Sequence, residues 1–215
     1  MVDNLDEHTE KVKAEYERHA RQHDSDTPEA AHWVGDHKTK LRYEVLADID
    51  DLCGKSVLDF GCGNALFLDY LDEKGINCEY YGWDISEELV EIARGRHPDA
   101  EFRVIDVLNE GMPTSQENFD YVLISGTFYI RVDTRREIHT QWIRNIMIKL
   151  WEVCDKGLAA NFLTEHVEFK KDELYYSNID ELISFCVSDL SRWFTLRRDY
   201  PLWEHTIYIY RSANI

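Results

Sequence analysis

The chain has 215 residues, of which 44% are hydrophobic and 13% aromatic, a composition typical of a folded globular protein. This length suits one α/β domain with a sizeable core and is short for two independent domains. Lys and Arg total 24 against 42 Asp and Glu, so the formal net charge is -18. Because such a surface repels polyanions, we expect no nucleic-acid partner.

The cysteines indicate reduced thiols. There are five, they are scattered, and none forms a C-x-x-C pair, so the sequence indicates neither a disulfide framework nor a zinc knuckle. The first twenty residues are polar and no later run approaches the roughly 18 apolar residues of a membrane span. We therefore expect a cytoplasmic protein that needs no metal and contacts no membrane.

The elements begin with a charged helical region. Residues 1–50 have a helical pattern with a break at Ser25 to Pro28, where Pro28 can begin a second helix. We predict that 1–50 form an N-terminal helical cap and that 51–215 form the main domain, the two making one structural unit.

From residue 55 onward, apolar runs alternate with amphipathic ones. Such alternation predicts a parallel sheet covered by helices on both faces. The predicted strands are 56–60, 79–84, 101–106, 121–126, 157–163, 192–200 and 205–211. The predicted helices between them lie near 64–74, 86–96, 134–155 and 178–193. Only four residues separate the last two strands, so they should form an antiparallel hairpin. The expected fold class is a doubly wound, mainly parallel seven-stranded α/β sheet.

The stretch VLDFGCGNALFL, residues 57–68, places Gly61 and Gly63 between a strand and a helix. Such a turn lets a ligand approach the backbone and directs helix N-terminal amides at its anionic end. The loop lacks the Lys and Ser/Thr of a triphosphate-binding P-loop. It also has Leu66 at the third glycine of the dinucleotide fingerprint.

Three acids accompany the glycine loop. Asp59 precedes it by two residues, while Asp84 and Asp106 end the second and third predicted strands. Ligands of doubly wound sheets lie at the carboxyl ends of the strands, so these acids should meet in one crevice. An acid after the second strand can accept hydrogen bonds from ribose hydroxyls, and one after the third can meet an adenine amino group. The ligand is therefore expected to contain adenosine.

Taken together, these features resemble the class I S-adenosylmethionine-dependent methyltransferases over residues 55–211. VLDFGCGNA resembles their first motif, Asp84 in GWDIS their ribose-binding acid, and Asp106 in FRVIDVL their adenine-side acid. FDYVLISGTF resembles their fourth strand with its loop, and the terminal hairpin their last two strands. Ala65 stands where the family often has a further glycine.

The resemblance implies S-adenosylmethionine as methyl donor and S-adenosylhomocysteine as product. The amides of residues 61–64 would receive the donor's carboxylate, and Asp59 would offset its ammonium or instead order the loop. Trp33 and Arg42 of the cap would cover its methionine end or simply pack the cap on the core. The complete set of expected donor-binding residues is Asp59, Phe60, Gly61, Cys62, Gly63, Asp84, Ile85, Asp106, Val107, Ser125, Trp33 and Arg42.

The acceptor is predicted to be a small molecule, with transfer to oxygen favoured over nitrogen or carbon. The loop of residues 125–129 should face the methyl group, and it lacks the N-P-P-Y type motif of amide and nucleobase methyltransferases. His19 and His37 are candidate general bases and Tyr129 a candidate substrate contact, although most exposed histidines have no catalytic role.

Two other functions remain open from the sequence. A non-catalytic module would bind S-adenosylmethionine without turnover, and a nicotinamide-dependent oxidoreductase would bind NADH. The incomplete glycine fingerprint and the terminal hairpin count against the oxidoreductase.

Overall fold

The computed structural model describes residues 4–22, 36–112, 118–132 and 134–213. The helices are α1 (Leu5–Ala20), α2 (Asp36–Ala47), α3 (Leu66–Lys74), α4 (Glu87–Arg96), α5 (Arg136–Glu152) and α6 (Ile179–Phe185). The strands are β1 (Ser56–Phe60), β2 (Glu79–Asp84), β3 (Glu101–Val104), β4 (Phe119–Ile124), β5 (Cys154–Leu163), β6 (Trp193–Arg197) and β7 (Glu204–Tyr210).

All seven strands form one sheet in the order β3-β2-β1-β4-β5-β7-β6. The five strands β1 to β5 pair in parallel, whereas β7 inserts antiparallel between β5 and β6. This arrangement confirms the predicted mainly parallel sheet with an antiparallel C-terminal hairpin. The strand order reverses between β1 and β4, and ligand crevices of such sheets lie at that reversal.

Successive residues of a strand point to opposite faces of the sheet, and their side chains form two apolar cores, one on each face. Leu58 and Val122 pack with α5 on one face, while the adjacent Val57 and Leu123 pack with α2 and α3 on the other. Burial on both faces explains why these strands are almost continuously apolar in sequence. On α5, Trp142, Ile146 and Leu150 recur every four residues and form the stripe that faces the sheet.

Helices α1 and α2 precede the sheet in the part of the chain that the structure describes. Helix α1 packs against α5 and α4, and α2 packs against α3 and β5. A buried ion pair fastens α2 to the sheet, because Arg42 Nε donates to both carboxylate oxygens of Glu204 on β7, at 2.8 and 2.9 Å.

The structure sharpens the sequence predictions at the element ends. The helix predicted over 178–193 is α-helical only to Phe185 and continues as a π-helical turn, Cys186–Leu190. The turn between β6 and β7 is longer than predicted, since β6 ends at Arg197. The predicted break at residues 25–28 lies outside the described residues. Of the helices described, none has both the length and the apolar character to cross a membrane.

The Arg42–Glu204 pair gives a stability prediction. Glu204→Gln keeps the side-chain shape but leaves the buried guanidinium opposite a neutral amide, so we expect the free energy of unfolding to fall by about 3 kcal/mol. Urea denaturation measures the change. The matched control is Glu152→Gln, which removes an exposed pair with Lys149 and should cost about 0.5 kcal/mol or less. Equal losses in both variants would contradict the assigned importance of the buried pair.

Candidate functional site

A cleft opens at the carboxyl ends of β1, β2 and β4, beside the reversal in strand order. Its floor is the glycine loop, which is tied to the neighbouring strand because the amides of Gly61 and Cys62 both donate to the carbonyl of Trp83, at 2.7 and 3.1 Å. The empty space of the cleft, its open mouth included, is about 880 Å³.

Gly61 is required where the glycine loop meets the loop after β4. Its φ is +76°, and a Cβ built there would lie 2.2 Å from Oγ1 of Thr127. The Thr127 hydroxyl in turn donates to the carbonyl of Phe60 at 3.0 Å. The absence of a side chain at Gly61 therefore lets the two loops touch, and it leaves backbone exposed toward the cleft.

Asp84 joins β2 to the glycine loop. One of its carboxylate oxygens accepts from the amide of Gly63 at 2.9 Å, and the other accepts from the amide of Ser86 at 2.8 Å. Burial raises the pKa of this carboxyl, while the backbone amides oppose the rise. The carboxyl is thus fixed in position by the backbone at the edge of the cleft.

Asp59 is the second buried carboxyl of the cleft and lies at the end of β1. Its Oδ2 accepts from the Tyr80 hydroxyl at 2.7 Å. Burial raises the pKa of Asp59 to about 7, against the opposing effect of that hydrogen bond, and the nearby Asp84 adds to the rise. A cationic ligand group beside Asp59 would favour its ionised form.

Asp106 follows β3 and is half-buried. Its Oδ1 accepts from the amides of Leu108 and Asn109, at 2.9 and 3.2 Å, and its Oδ2 accepts from the Asn109 side chain at 2.8 Å. These bonds order the turn after β3. The third acid therefore lies on the same crevice as the first two.

Helices α1 and α5 cover the cleft. The sequence predicted a cover from the N-terminal helices but not from α5. Thr9, Val12 and Tyr16 line it from α1, and Trp142 and Ile146 line it from α5. The Tyr16 hydroxyl reaches the carbonyl of Thr127 at 3.4 Å. The spacing of the three α1 residues, three and then four apart, was the available sequence signal for a face turned to the protein interior.

Ten of the twelve expected donor-binding residues line the cleft. They are Asp59, Phe60, Gly61, Cys62, Gly63, Asp84, Ile85, Asp106, Val107 and Ser125. Arg42 lies elsewhere, in its pair with Glu204, and Trp33 lies outside the described residues. Further lining residues that the sequence did not single out for this role include Tyr43, Asn64, Phe67 and Leu89.

The three residues expected to act on the acceptor are not brought together in the cleft. His19 is half-buried near the end of α1, His37 is exposed in the first turn of α2, and neither is a lining residue. Tyr129 lies near the Arg42–Glu204 pair, and burial, with the Glu204 carboxylate adding, raises the pKa of its phenol. The assignments of all three remain predictions.

The comparisons with known proteins agree with this cleft. Residues 57–147 match the family model described as a methyltransferase domain. A Mycobacterium tuberculosis protein named as a methyltransferase is 30% identical over 166 residues, covering 74% of this chain and 94% of that relative. The chain belongs to the class I S-adenosylmethionine-dependent methyltransferase family. Its cofactor is therefore S-adenosylmethionine, and the protein is a transferase rather than a nicotinamide oxidoreductase.

Solved structures show that the fold of this methyltransferase is shared. Magnesium protoporphyrin IX methyltransferase from Synechocystis PCC 6803, with bound S-adenosylmethionine, has a TM-score of 0.62 at 15% identity and covers 99% of each chain. The DhpI complex with S-adenosylhomocysteine has a TM-score of 0.66 at 13% identity, covering 97% of this chain and 98% of the other.

Gly61→Ala should abolish measurable binding of S-adenosylhomocysteine. Alanine at this position would have to adopt the left-handed backbone conformation of Gly61, which it disfavours. Its methyl group would also collide with the side chain of Thr127, so the glycine loop must move. Isothermal titration calorimetry measures the loss. Gly95→Ala is the matched control, because this helical glycine has open space around its missing Cβ and the change should raise stability by about 0.5–1 kcal/mol without altering affinity. Retained binding in Gly61→Ala would contradict the assigned loop contact.

Asp59 should make the ligand-free methyltransferase less stable as pH rises. An unfolded Asp titrates near 3.9 while the folded carboxyl titrates at about 7, so the native state binds more protons between those values. The free energy of unfolding then falls across this window, by roughly 1.4 kcal/mol per pH unit, and levels off above it. Asp59→Asn should flatten the decline, measured by urea unfolding between about pH 4.5 and pH 8.

Tyr80→Phe gives the opposite control for the Asp59 prediction. The Tyr80 hydrogen bond lowers the pKa of Asp59, so its removal should extend the stability decline to higher pH. Identical pH profiles for the parent protein and Asp59→Asn would show that this carboxyl does not titrate in the window.

Proposed function

We propose that this methyltransferase transfers the methyl group of S-adenosylmethionine to a small-molecule acceptor, with an oxygen atom as the favoured nucleophile. The observation that carries the proposal is the cleft itself, in which a glycine loop and three strand-end acids lie beneath the cover of α1. When bound there, S-adenosylmethionine supplies a methyl group on a positively charged sulfur.

The donor would be held by three parts of the cleft. The methionine end of the donor would lie on the glycine loop, with Asp59 facing its ammonium group. The amides of Gly61, Cys62 and Gly63 already donate to Trp83 and Asp84, so they would not receive the donor's carboxylate as the sequence predicted. Asp84 would accept from the ribose hydroxyls and Asp106 would lie on the adenine side. Trp142 and Val12 would cover the adenosine with apolar surface and exclude water.

The acceptor would approach over the loop after β4. The amide of Gly126 in this loop donates to Oδ1 of Asn161 at 2.7 Å, which fixes the loop to β5. Methyl transfer is a displacement whose rate depends strongly on positioning, which a rigid loop provides. Tyr129, predicted as a substrate contact, lies near the Arg42–Glu204 pair and does not line the cleft, so we give it no part in the transfer.

A small acceptor is supported by charge and by enclosure. The net charge of -18 disfavours a polyanion, and α1 restricts access to the cleft. Transfer to oxygen is supported by the residues Ser125 to Phe128, which replace the motif of nitrogen-directed relatives. Metal independence also remains a prediction.

A second acceptor class has one observation in its favour. The yeast tRNA (carboxymethyluridine(34)-5-O)-methyltransferase is 33% identical over 99 residues, covering 45% of this chain and 32% of that enzyme. The match supports an RNA acceptor and also oxygen as the methylated atom. The acidic surface counts against RNA, so we rank it second.

The donor site is tested by Asp84→Ala. Loss of the carboxylate removes both the proposed ribose contact and the hydrogen bond to Gly63, so the affinity for S-adenosylmethionine and S-adenosylhomocysteine should fall at least about tenfold. Calorimetry with each ligand measures this. Glu152→Ala, which removes an exposed acid at the end of α5 outside the cleft, should bind as the parent does. Unchanged affinity in Asp84→Ala would overturn the ribose assignment.

The acceptor class is tested with S-adenosylmethionine labelled on its methyl group. The purified enzyme is incubated separately with small-molecule, RNA and protein fractions of its source cells, and the labelled product is then identified by mass spectrometry. We expect a label on oxygen in the small-molecule fraction. Label confined to RNA would favour the second class and contradict the first.

A further inference from the structure

Two histidines form a hydrogen-bonded pair between α1 and α5 that the donor site does not use directly. His8 and His139 are both completely buried. Nε2 of His8 lies 2.8 Å from Nδ1 of His139, and Nε2 of His139 lies 3.1 Å from the carbonyl oxygen of Phe128. Their rings meet edge-on with centroids 5.0 Å apart.

The geometry fixes the protons of this pair. The Phe128 carbonyl can only accept, so Nε2 of His139 carries a proton and donates it. Nδ1 of His139 is then an acceptor, and it receives the proton of His8 Nε2. Because burial lowers the pKa of both rings well below 7, each imidazole is neutral at pH 7, and one hydrogen bond leads into the next.

This chain of bonds ends in the loop that the acceptor would approach. Phe128 follows Thr127, whose side chain contacts the glycine loop. Beside the pair, the indole of Trp142 donates to Thr9 at 2.9 Å, which adds a second polar link between α5 and α1. One cluster thus connects the cover of the cleft to the loop after β4.

We propose that His8 and His139 are positioning residues that fasten α1 over the donor cleft and set the loop after β4 at the same time. The proposal rests on the proposed function, because it takes the cleft beneath α1 as the donor site. Neither imidazole needs to touch the donor or the acceptor. Their role is to hold α1 over the cleft in a fixed position relative to the loop after β4.

Burial disfavours a positive charge on either imidazole. A proton added to Nδ1 of His139 would face the Nε2–H of His8, and the hydrogen bond would then require the other tautomer of His8. Burial lowers the pKa of His8 to about 4, with Lys11 adding to the effect. Burial likewise lowers the pKa of His139 to about 3, with His8 and Arg131 adding and the bond to Phe128 opposing.

Among the residues that the structure describes, two aromatic side chains flank the pair. Trp142 faces both rings at 5.3 Å, and Tyr175 faces His139 at 4.8 Å between centroids. These neighbours do not titrate near neutral pH. The charged groups that bear on the pair are therefore the two cations, Lys11 and Arg131, and both disfavour an added proton.

The direction of the pH effect follows from these values. When α1 lifts, His8 enters water and regains an ordinary pKa near 6.5. As pH falls below that value, His8 becomes protonated in the open form but stays neutral in the closed form. Protonation therefore stabilises the open form relative to the closed one. For His8 alone, the closed-to-open ratio should drop roughly tenfold between about pH 7.5 and about pH 5.5. Raising the pH restores it.

Hydrogen exchange followed by mass spectrometry tests the proposal on the full chain. Protection of α1 amides is measured at both pH values, corrected for intrinsic exchange rates, with and without S-adenosylhomocysteine. Amides of β5, in the core of the sheet, report global opening. In the parent protein, α1 protection should fall about tenfold at the lower pH, whereas β5 protection should follow the pH dependence of global stability, to which Asp59 contributes.

Three variants separate the pair from general packing. His8→Gln offers an amide N–H in place of Nε2–H and cannot titrate, so its α1 protection should match the parent at high pH and lose the acid decline. His8→Leu should be poorly protected at both pH values, because it leaves His139 without a donor. His166→Gln removes an exposed histidine outside the pair and should behave as the parent does.

The possible outcomes separate the role of the histidine pair from the assignment of the donor site. An equal acid decline in the parent and in His8→Gln overturns the role of the histidine pair. An acid decline in the parent that disappears in His8→Gln supports it. If S-adenosylhomocysteine leaves α1 protection unchanged in the parent, the cleft under α1 is not the donor site and the proposed function fails independently.

Discussion

The contact between the glycine loop and the loop after β4 is the constraint on which the cleft depends. Gly61 and Thr127 come from strands that are neighbours in the sheet but far apart in the chain, and their loops touch only because Gly61 carries no side chain. The contact narrows the crevice at the reversal of strand order. It also fixes the positions of the glycine loop and the loop after β4 relative to each other.

Around this contact the fold accepts costs that a purely structural protein would avoid. Two carboxyls, Asp59 and Asp84, are buried within one cleft, and burial raises the pKa of both. Backbone amides and the Tyr80 hydroxyl compensate in part. Shifted pKa values of this kind are common at functional sites, because a bound ligand of opposite charge can stabilise the ionised carboxylates.

Sequence reasoning predicted the sheet and the strand-end acids because both follow from local patterns. Apolar runs such as 56–60 alternate with amphipathic helices, and parallel strands bring their carboxyl ends to one edge. Contacts between residues far apart in the chain have no comparable pattern in the sequence. Arg42 was expected either to cover the donor or to pack the cap on the core, and its partner, Glu204 on β7, could not be read from the sequence. The residues of α1 that line the cleft likewise depend on how α1 packs against α5. His8 is likewise an ordinary polar residue in sequence, and only its packing against α5 reveals a neutral histidine pair.

The central claim is that the crevice between the glycine loop and α1 holds the methyl donor. A crystal structure of the protein with S-adenosylhomocysteine tests it most directly. We expect the ligand's methionine end at the glycine loop, its ribose hydroxyls on Asp84 and its adenine on the side of Asp106, beneath α1. Ligand bound outside this crevice, or bound within it with the ribose away from Asp84, would contradict the account.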